Sequence, residues 1–369
     1  MNRLFFFNPD NDLALAAGVA QFTPPANPLA LRQSGALLPI WWADENDYVL
    51  VESIPDKAII DRFRKKFGLK AQVITKVPEN VADDLICCPW GWSANSRLIF
   101  KKAGAKNLPS DENLERLRQL SHRLFSIEVN RRLRDNFGIE TPPLPKEVFS
   151  TEEVMNLLDS QHDYIAKSPW SSSGRGMAQL SSMSKNAAIS FVSGVISRQG
   201  SVILEKTLNK ILDFAMLFKS DEKGVKFIGY SVFSTNANGG YSSNIVANDS
   251  TLKSMLTKYV TASKLDNIKS SLESVLSDSI SGVYLGPLGV DMMVYSDCGQ
   301  TAVAPTIEVN LRMTMGIVAH HLASRFADND NMLDFIVAPT KSNINKEKTI
   351  SLIPVFSTTR FTFNLAIKS

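Results

Sequence analysis

Cysteine and histidine are scarce in this 369-residue chain, which has three of one and four of the other. Cys87 and Cys88 are neighbours and Cys298 stands alone, so there is no spaced disulfide framework, and the pattern fits a reducing compartment. No Cys/His grouping has zinc-ligand spacing. An excess of one charge sign is also lacking. Forty Lys and Arg face 37 Asp and Glu, a formal net charge of +3. That balance excludes bulk attraction to nucleic acid or to an anionic membrane, so an anionic ligand must be held by local groups. Long hydrophobic runs are missing too. The opening run Leu4-Phe5-Phe6-Phe7 is too short for a signal-peptide core or a membrane span, and it predicts a buried first strand. The chain reads as cytoplasmic, with neither nucleic acid nor membrane as a partner.

What is present is a core-forming composition, 44% hydrophobic and 21% charged, over a length that calls for two or three domains. Residues 1–107 read as a small α/β domain with strands at Leu4–Phe7, Leu37–Trp42, Gln72–Ile74 and Leu85–Cys88, and a helix at Asp56–Phe67 that stops at Gly68. Residues 108–330 read as a larger α+β domain. It starts with helices over 111–120 and 121–137, the second stopping at Gly138, and a Ser150/Glu153 capping box follows. Strands are expected at Tyr164–Ala166, Ser201–Glu205, Phe214–Lys219, Lys226–Phe233, Val290–Tyr295 and Ala302–Val309. Residues 331–369 read as a peripheral C-terminal extension. All five Trp precede residue 171; Pro89-Trp90-Gly91-Trp92 reads as core and loop packing, with the lining of a substrate cleft as the alternative.

Three stations carry candidate chemistry. Lys167, at a strand end, precedes the loop Ser171-Ser172-Ser173-Gly174-Arg175-Gly176. Small residues let backbone N–H groups and hydroxyls wrap phosphate oxygens, and the Lys supplies a fixed positive charge. The loop matches neither the Gly-Lys-Ser/Thr phosphate loop nor the dinucleotide glycine fingerprint. The second station is Glu205-Lys206-Thr207-Leu208 at the end of an apolar strand, with Asp213 beyond it. Such a segment suits a base edge and a ribose, though an exposed strand end is the bland reading. The third is Asp291 with Glu308-Val309-Asn310-Leu311-Arg312. Antiparallel pairing brings Asp291 to Glu308, and Glu308 and Asn310 share a face. Two carboxylates and an amide oxygen make a hard oxygen site suited to Mg²⁺. Arg312 can fork onto a carboxylate or an acyl phosphate. Buried charges of this kind need partners, which weighs against a mere hairpin cap.

A Lys before a Ser/Gly loop, a Glu-ended strand and then Asp…Glu-x-Asn-x-Arg, in that order over roughly residues 110–326, resembles the ATP-grasp superfamily. The resemblance implies two α+β subdomains clasping nucleotide, with a lid at about 162–207 and a preceding α/β domain. ATP and Mg²⁺ are the implied cofactors. Lys167 and the loop Ser171, Ser172, Ser173, Gly174, Arg175 and Gly176 would take phosphates, Glu205, Lys206 and Leu208 the adenine, and Asp213 the ribose. Asp291, Glu308 and Asn310 would hold the metal, with Arg312 and Lys167 as catalytic groups. The implied activity is an ADP-forming ligase that activates a small-molecule or peptide carboxylate for attack by an amine, in a chain that can be a homodimer as family members often are. A kinase on the same scaffold and a non-catalytic nucleotide-binding protein are the alternatives. Two departures stand out. The family's Lys on the helix before the Pro-rich turn has no counterpart, Arg123 being the nearest candidate, and Gly289 occupies a position often held by Arg. The opening Asn8-Pro9-Asp10-Asn11-Asp12 is distinctive and has no assigned role.

Overall fold

In a computed structural model the chain forms two compact units. The first comprises Met1–Arg116, Ser242–Asn248 and Arg312–Ser369; the second comprises Leu117–Tyr241 and Asp249–Leu311. Residues 2–158, 163–171, 176–236, 239–327, 331–342 and 348–367 are described.

The first unit is built on a parallel sheet of β1 (Arg3–Phe6), β2 (Tyr48–Leu50), β3 (Gln72–Ile74) and β4 (Ile86–Pro89), in the order β3-β2-β1-β4. A parallel strand covered on both faces is apolar along its length rather than alternating, which is why Leu4, Phe5 and Phe6 are all buried. Leu4 and Phe6 pack with Leu50, Leu85 and Phe100 in one core cluster. The helix Lys57–Phe67 is capped by Asp56, whose side chain accepts from the Ile59 N–H, and it stops at Gly68 with φ 64°. The expected strand Leu37–Trp42 is instead a short 3-10 helix, Leu38–Trp41. Pro39 cannot donate to a ladder, and Trp41 turns inward to donate its indole N–H to the Leu352 carbonyl at 2.6 Å.

The second unit holds two antiparallel arrays. One consists of β5 (Lys146–Val148), β6 (Tyr164–Lys167), β7 (Met177–Gln179) and β8 (Val202–Lys206), in the order β5-β8-β6-β7. It shares a core with the helix Lys185–Gln199 through Ala166, Leu204, Val192 and Val195. The long strands β9 (Asn209–Asp221) and β10 (Gly224–Thr235) follow, and β11 (Tyr241–Val246) leads back into the first unit. After a helix at Ala262–Ile280, β12 (Gly286–Asp297) and β13 (Gln300–Asn310) make a hairpin. Its turn places Cys298 at φ 48° and Gly299 at φ 83°, the left-handed pair that a tight hairpin needs. Strand order here is β13-β12-β9-β10. The outer edge of β13 is covered by the helix Arg123–Phe137: the Val309 N–H donates to Ser126 Oγ at 2.9 Å and Asn130 Nδ2 donates to the Thr306 carbonyl at 2.6 Å. Those bonds satisfy edge groups that would otherwise be exposed for pairing.

The C-terminal residues are not peripheral. In the first unit β11 pairs with β14 (Leu333–Pro339), and β16 (Phe361–Ile367) lies between β14 and β15 (Thr349–Ser351). Phe335, Leu352, Phe363 and Leu365 are almost fully buried, and Phe363 meets Phe7 edge-on at 5.8 Å. A Cβ on Gly35 would come within 2.6 Å of both rings, so only glycine fits there. No helix among the described residues is long and apolar enough to cross a membrane.

Candidate functional site

The site in the second unit begins with strand register. Lys167 on β6 stands opposite Ile203 on β8. Glu205 lies two residues beyond Ile203, so it projects to the same face as a diagonal neighbour of Lys167. The Lys167 ammonium reaches Glu205 Oε2 at 2.6 Å, with side chains only 5% and 13% exposed. Burying that ion pair is costly unless both partners stay engaged. Directly after Lys167 the chain turns. The Ser168 N–H donates to the Gly176 carbonyl at 2.7 Å, closing the stem of the Ser/Gly loop. Gly176 has φ 68°, and a Cβ there would lie 2.5 Å from Ser168 Oγ. Ser171 is buried. Ser172, Ser173, Gly174 and Arg175 lie outside the described residues.

The stem is anchored by Trp170. Its backbone exchanges two hydrogen bonds with the Gln199 amide, its indole N–H donates to the Arg118 carbonyl, and the Arg118 guanidinium stacks 4.3 Å from the ring centre. His122 meets the same ring edge-on and caps the helix Arg123–Phe137 by accepting from the Leu124 N–H. Burial holds the His122 pKa below the ordinary imidazole value.

The residue after that cap is Arg123, which is buried. Its Nε donates to the Ser168 carbonyl at 2.9 Å and its Nη2 to Ser171 Oγ at 3.0 Å, and Nη2 lies 3.2 Å from Glu308 Oε1. One guanidinium therefore ties the loop stem to the acid at the end of β13. In sequence Arg123 was only the nearest basic residue to the position of the family's Lys; the signal that could have singled it out is its place just inside a helix start.

At the third station the hairpin register sets Asp291, Glu308 and Asn310 side by side, without Arg312. Asp291 and Glu308 are register partners across β12 and β13, and Gly289 is the partner of Asn310. Asn310 is buried, and its Nδ2 donates to Asp291 Oδ2 at 3.0 Å. Among the described residues no group of three His, Cys, Asp or Glu forms an ion cage. Two carboxylates with an amide beside them fit Mg²⁺, which is ordinarily held by one or two carboxylates with waters and phosphate oxygens completing its shell. Glu308 already faces a cation, the Arg123 guanidinium, so its carboxylate is disposed toward positive charge.

The remaining sites are elsewhere. Lys206 is exposed and Leu208 half-buried just past the end of β8. The Asp213 carboxylate, 11% exposed, takes Lys210 Nζ at 2.7 Å and the Thr235 hydroxyl at 2.9 Å. A small pocket lies beside the Lys167–Glu205 pair, lined by Arg123, Asn130, Ile203, Glu205, Thr306 and Ile307. Asn130 and Thr306 had no sequence signal beyond ordinary polar residues in a helix and a strand.

Arg312 belongs to the first unit. Its Nε and Nη2 fork onto Asp12 at 3.0 and 2.8 Å, and its Nη1 donates to the Met313 carbonyl at 3.2 Å. The turn holding Asp12 is itself fixed. Asn8 Nδ2 donates to the Gly91 carbonyl at 2.9 Å, and Asp10 is paired with Arg32 at 3.1 Å, which in turn reaches Glu52 at 2.6 Å. Burial pushes the Asp10 pKa up, and Arg32 opposes that rise.

No protein-family model matches the chain, and no curated protein matches it in sequence. Solved structures do. Biotin carboxylase from Campylobacter jejuni, in a β,γ-ATP complex, aligns over 100% of this chain and 87% of its own at 12% identity, with a TM-score of 0.55. N5-carboxyaminoimidazole synthetase from Staphylococcus aureus, in complex with ADP, aligns over 100% and 93% at 12% identity, with a TM-score of 0.53. Phosphoribosylamine–glycine ligase from Thermotoga maritima aligns over 100% and 92% at 11% identity, with a TM-score of 0.51. These are ATP-grasp enzymes, and the chain has their fold.

Proposed function

We propose, from the premise of an ATP-grasp fold, that this protein is an ATP- and Mg²⁺-dependent ligase that activates a carboxylate as an acyl phosphate and passes the acyl group to an amine, releasing ADP. The observation that carries the reading is the Arg123 guanidinium joined at once to the stem of the Ser/Gly loop and to Glu308, with the Lys167–Glu205 pair on the neighbouring strands. What supports the reading is that the residues assigned here to phosphate and to metal lie in one unit. The ligands named for the structural neighbours, ATP and ADP, agree with this.

Lys167 and Arg123 hold phosphate oxygens in this reading, with the residues of the 171–176 loop as further phosphate ligands. Glu205, Lys206 and Leu208 take the base and Asp213 a ribose hydroxyl. Asp291, Glu308 and Asn310 hold Mg²⁺, which neutralises phosphate charge when bound. A substrate carboxylate oxygen attacks the γ-phosphorus, the bond to the β,γ-bridging oxygen breaks, and ADP leaves. An amine lone pair then attacks the acyl carbon, the carbon–oxygen bond to phosphate breaks, and the amine loses its proton as inorganic phosphate departs. Arg312 is the residue assigned in this reading to the carboxylate and the acyl phosphate. Positioning and charge neutralisation supply the catalysis, so no enzyme nucleophile is required.

The test is thermal stabilisation by ATP with and without Mg²⁺, followed by ADP release across carboxylate and amine panels. A ligand bound only by the folded state must raise the melting temperature. Glu308→Gln should shrink the Mg²⁺-dependent part of the shift and lower ADP release at least 100-fold, in line with the loss of a preorganised electrostatic group. Full ADP release by Glu308→Gln would defeat the assignment, and a stable phosphorylated product without amide would point to a kinase.

A further inference from the structure

We propose that Asp12 is a positioning residue for Arg312, and that the Asn8–Asp12 turn and the Pro89–Trp92 loop serve as the mount for that arginine. The inference rests on the reading above, in which Arg312 handles the carboxylate and acyl phosphate. A guanidinium at the end of a flexible stem can turn its plane freely. Asp12 restricts that freedom: its Oδ1 accepts from Nε at 3.0 Å, and its Oδ2 lies 2.8 Å from Nη2 as an ion pair. The fork is sheltered, with side chains 15% and 12% exposed for Arg312 and Asp12. Screening by solvent is therefore weaker than at an open surface.

The mount is held on three sides. The Met313 N–H donates to the Trp90 carbonyl at 2.7 Å, fixing the backbone next to Arg312. Asn8 and Gly91 are joined by the Asn8 Nδ2 bond at 2.9 Å, tying the end of β1 to the end of β4. A Cβ on Gly91 would come within 2.4 Å of the Asn11 side chain, so the loop and the turn interlock with no spare volume. Asp12 lies in the first turn of the helix Asn11–Ala17, one residue from that contact. Two sequence features without a role, the Asn-Pro-Asp-Asn-Asp opening and the Pro-Trp-Gly-Trp loop, thereby acquire one. They place a carboxylate where Arg312 must lie.

A purely structural ion pair would stabilise the first unit and leave substrate handling alone, so the two roles separate by kinetics. The probe is acetyl phosphate with MgADP, read as ATP formed. A β-phosphate oxygen of ADP attacks phosphorus, the bond from phosphorus to the acyl oxygen breaks, and acetate leaves. Asp12→Asn keeps the side-chain volume and removes the charge. It should raise the KM for acetyl phosphate about tenfold or more, since misplacement of a catalytic group by about 1 Å can cost up to about 100-fold. The KM for MgADP should stay within about twofold of the natural value. Arg312→Lys should lose at least as much, and the double variant Asp12→Asn/Arg312→Lys should be no worse than Arg312→Lys alone, because a positioning residue has nothing left to position.

If Asp12→Asn is lost to misfolding, Asp12→Glu, which keeps the charge and displaces it by one methylene, is read in its place with the same expected rise. An unchanged acetyl phosphate KM in a folded Asp12 variant, beside a raised one in Arg312→Lys, overturns the proposal, as do losses that multiply independently in the double variant. A natural chain that binds MgADP and makes no ATP from acetyl phosphate defeats the acyl-phosphate reading itself, and this inference with it. That result is distinguishable from the others because the defect is then already present before any substitution.

Discussion

Lys167→Met gives a sharp test of the site, because the change keeps most of the aliphatic stem and deletes the charge. In the structure the ammonium sits 2.6 Å from Glu205 Oε2, with Lys167 5% and Glu205 13% exposed. Deleting one partner of a buried ion pair strands the other, at a cost of about 3–5 kcal/mol. Glu205 keeps a little solvent contact, so the lower end, about 3 kcal/mol, is the appropriate figure. At about 2–4 °C per kcal/mol for a unit of this length, the melting transition should fall by about 6–12 °C in buffer. A second loss follows if Lys167 also holds phosphate. The stabilisation by MgATP, about 2.7 kcal/mol at 100 times the dissociation constant, should largely disappear. The two effects separate in the double variant Lys167→Met/Glu205→Gln. That protein carries no stranded charge, so its melting temperature in buffer should recover while its response to MgATP stays absent. The assay is differential scanning fluorimetry over a nucleotide titration. A single variant that melts like the natural chain and keeps its full MgATP shift would refute both the strength of the pair and its place in the nucleotide site.

Two further predictions concern single groups. Arg123→Lys should weaken MgATP binding by about 10–100-fold in a calorimetric titration, since an ammonium cannot serve the Ser168 carbonyl, the Ser171 hydroxyl and Glu308 together, and charge-assisted hydrogen bonds are worth about 1.5–3 kcal/mol each. His321 stacks on Trp42 at 5.7 Å, and burial pushes its pKa down to about 4. The folded state thus favours neutral imidazole, so the contribution is present above the unfolded value near 6.5 and is lost as pH falls toward and through 4. That amounts to no more than about 3 kcal/mol. Melting curves from pH 7 to pH 4 should show the loss in the natural chain and lack it in His321→Phe.

Local pattern carried much of this molecule. Gly68 and Gly138 end helices where the sequence indicated, both in the left-handed conformation. Ser150 Oγ accepts from the Glu153 N–H as expected, although the Glu153 carboxylate takes the Phe149 N–H rather than that of Ser150, and the hairpin brings Asp291 opposite Glu308. Each of these depends on residues within one or two adjoining elements, where alternation and capping chemistry are decisive. Contacts between distant segments were out of reach. Leu37–Trp42 has the composition of a strand, yet Trp41 is drawn to a carbonyl 311 residues away. The tail looked peripheral because Pro339, Asn343, Asn345 and Pro354 break its pattern and hide short strands whose burial comes from the first unit's core. Arg123 resisted for the same reason. Its place just inside a helix start was the one local signal, and it does not reveal a link between a loop stem and a strand 185 residues further on.

The charges proposed to meet ligand are already partnered in the structure: Lys167 with Glu205, Arg123 with Glu308, Lys210 with Asp213 and Arg312 with Asp12. Half-buried acids and bases of this kind cannot be left alone, because an unpaired buried charge costs several kcal/mol. A phosphate arriving at Lys167 or Arg123 therefore exchanges one anionic partner for another rather than creating a contact from nothing. A divalent cation at Glu308 does the converse, replacing a guanidinium. Nucleotide and metal should consequently assist each other. Metal taking Glu308 releases Arg123 for phosphate, and phosphate taking Arg123 releases Glu308 for metal. By linkage the two effects are equal in free energy. Removing the shared competitor should abolish the mutual help: in Arg123→Met the dissociation constant for ATP should depend less steeply on Mg²⁺ concentration than in the natural chain. An equal Mg²⁺ dependence in both would show that the partner exchange at Glu308 does not couple the two ligands.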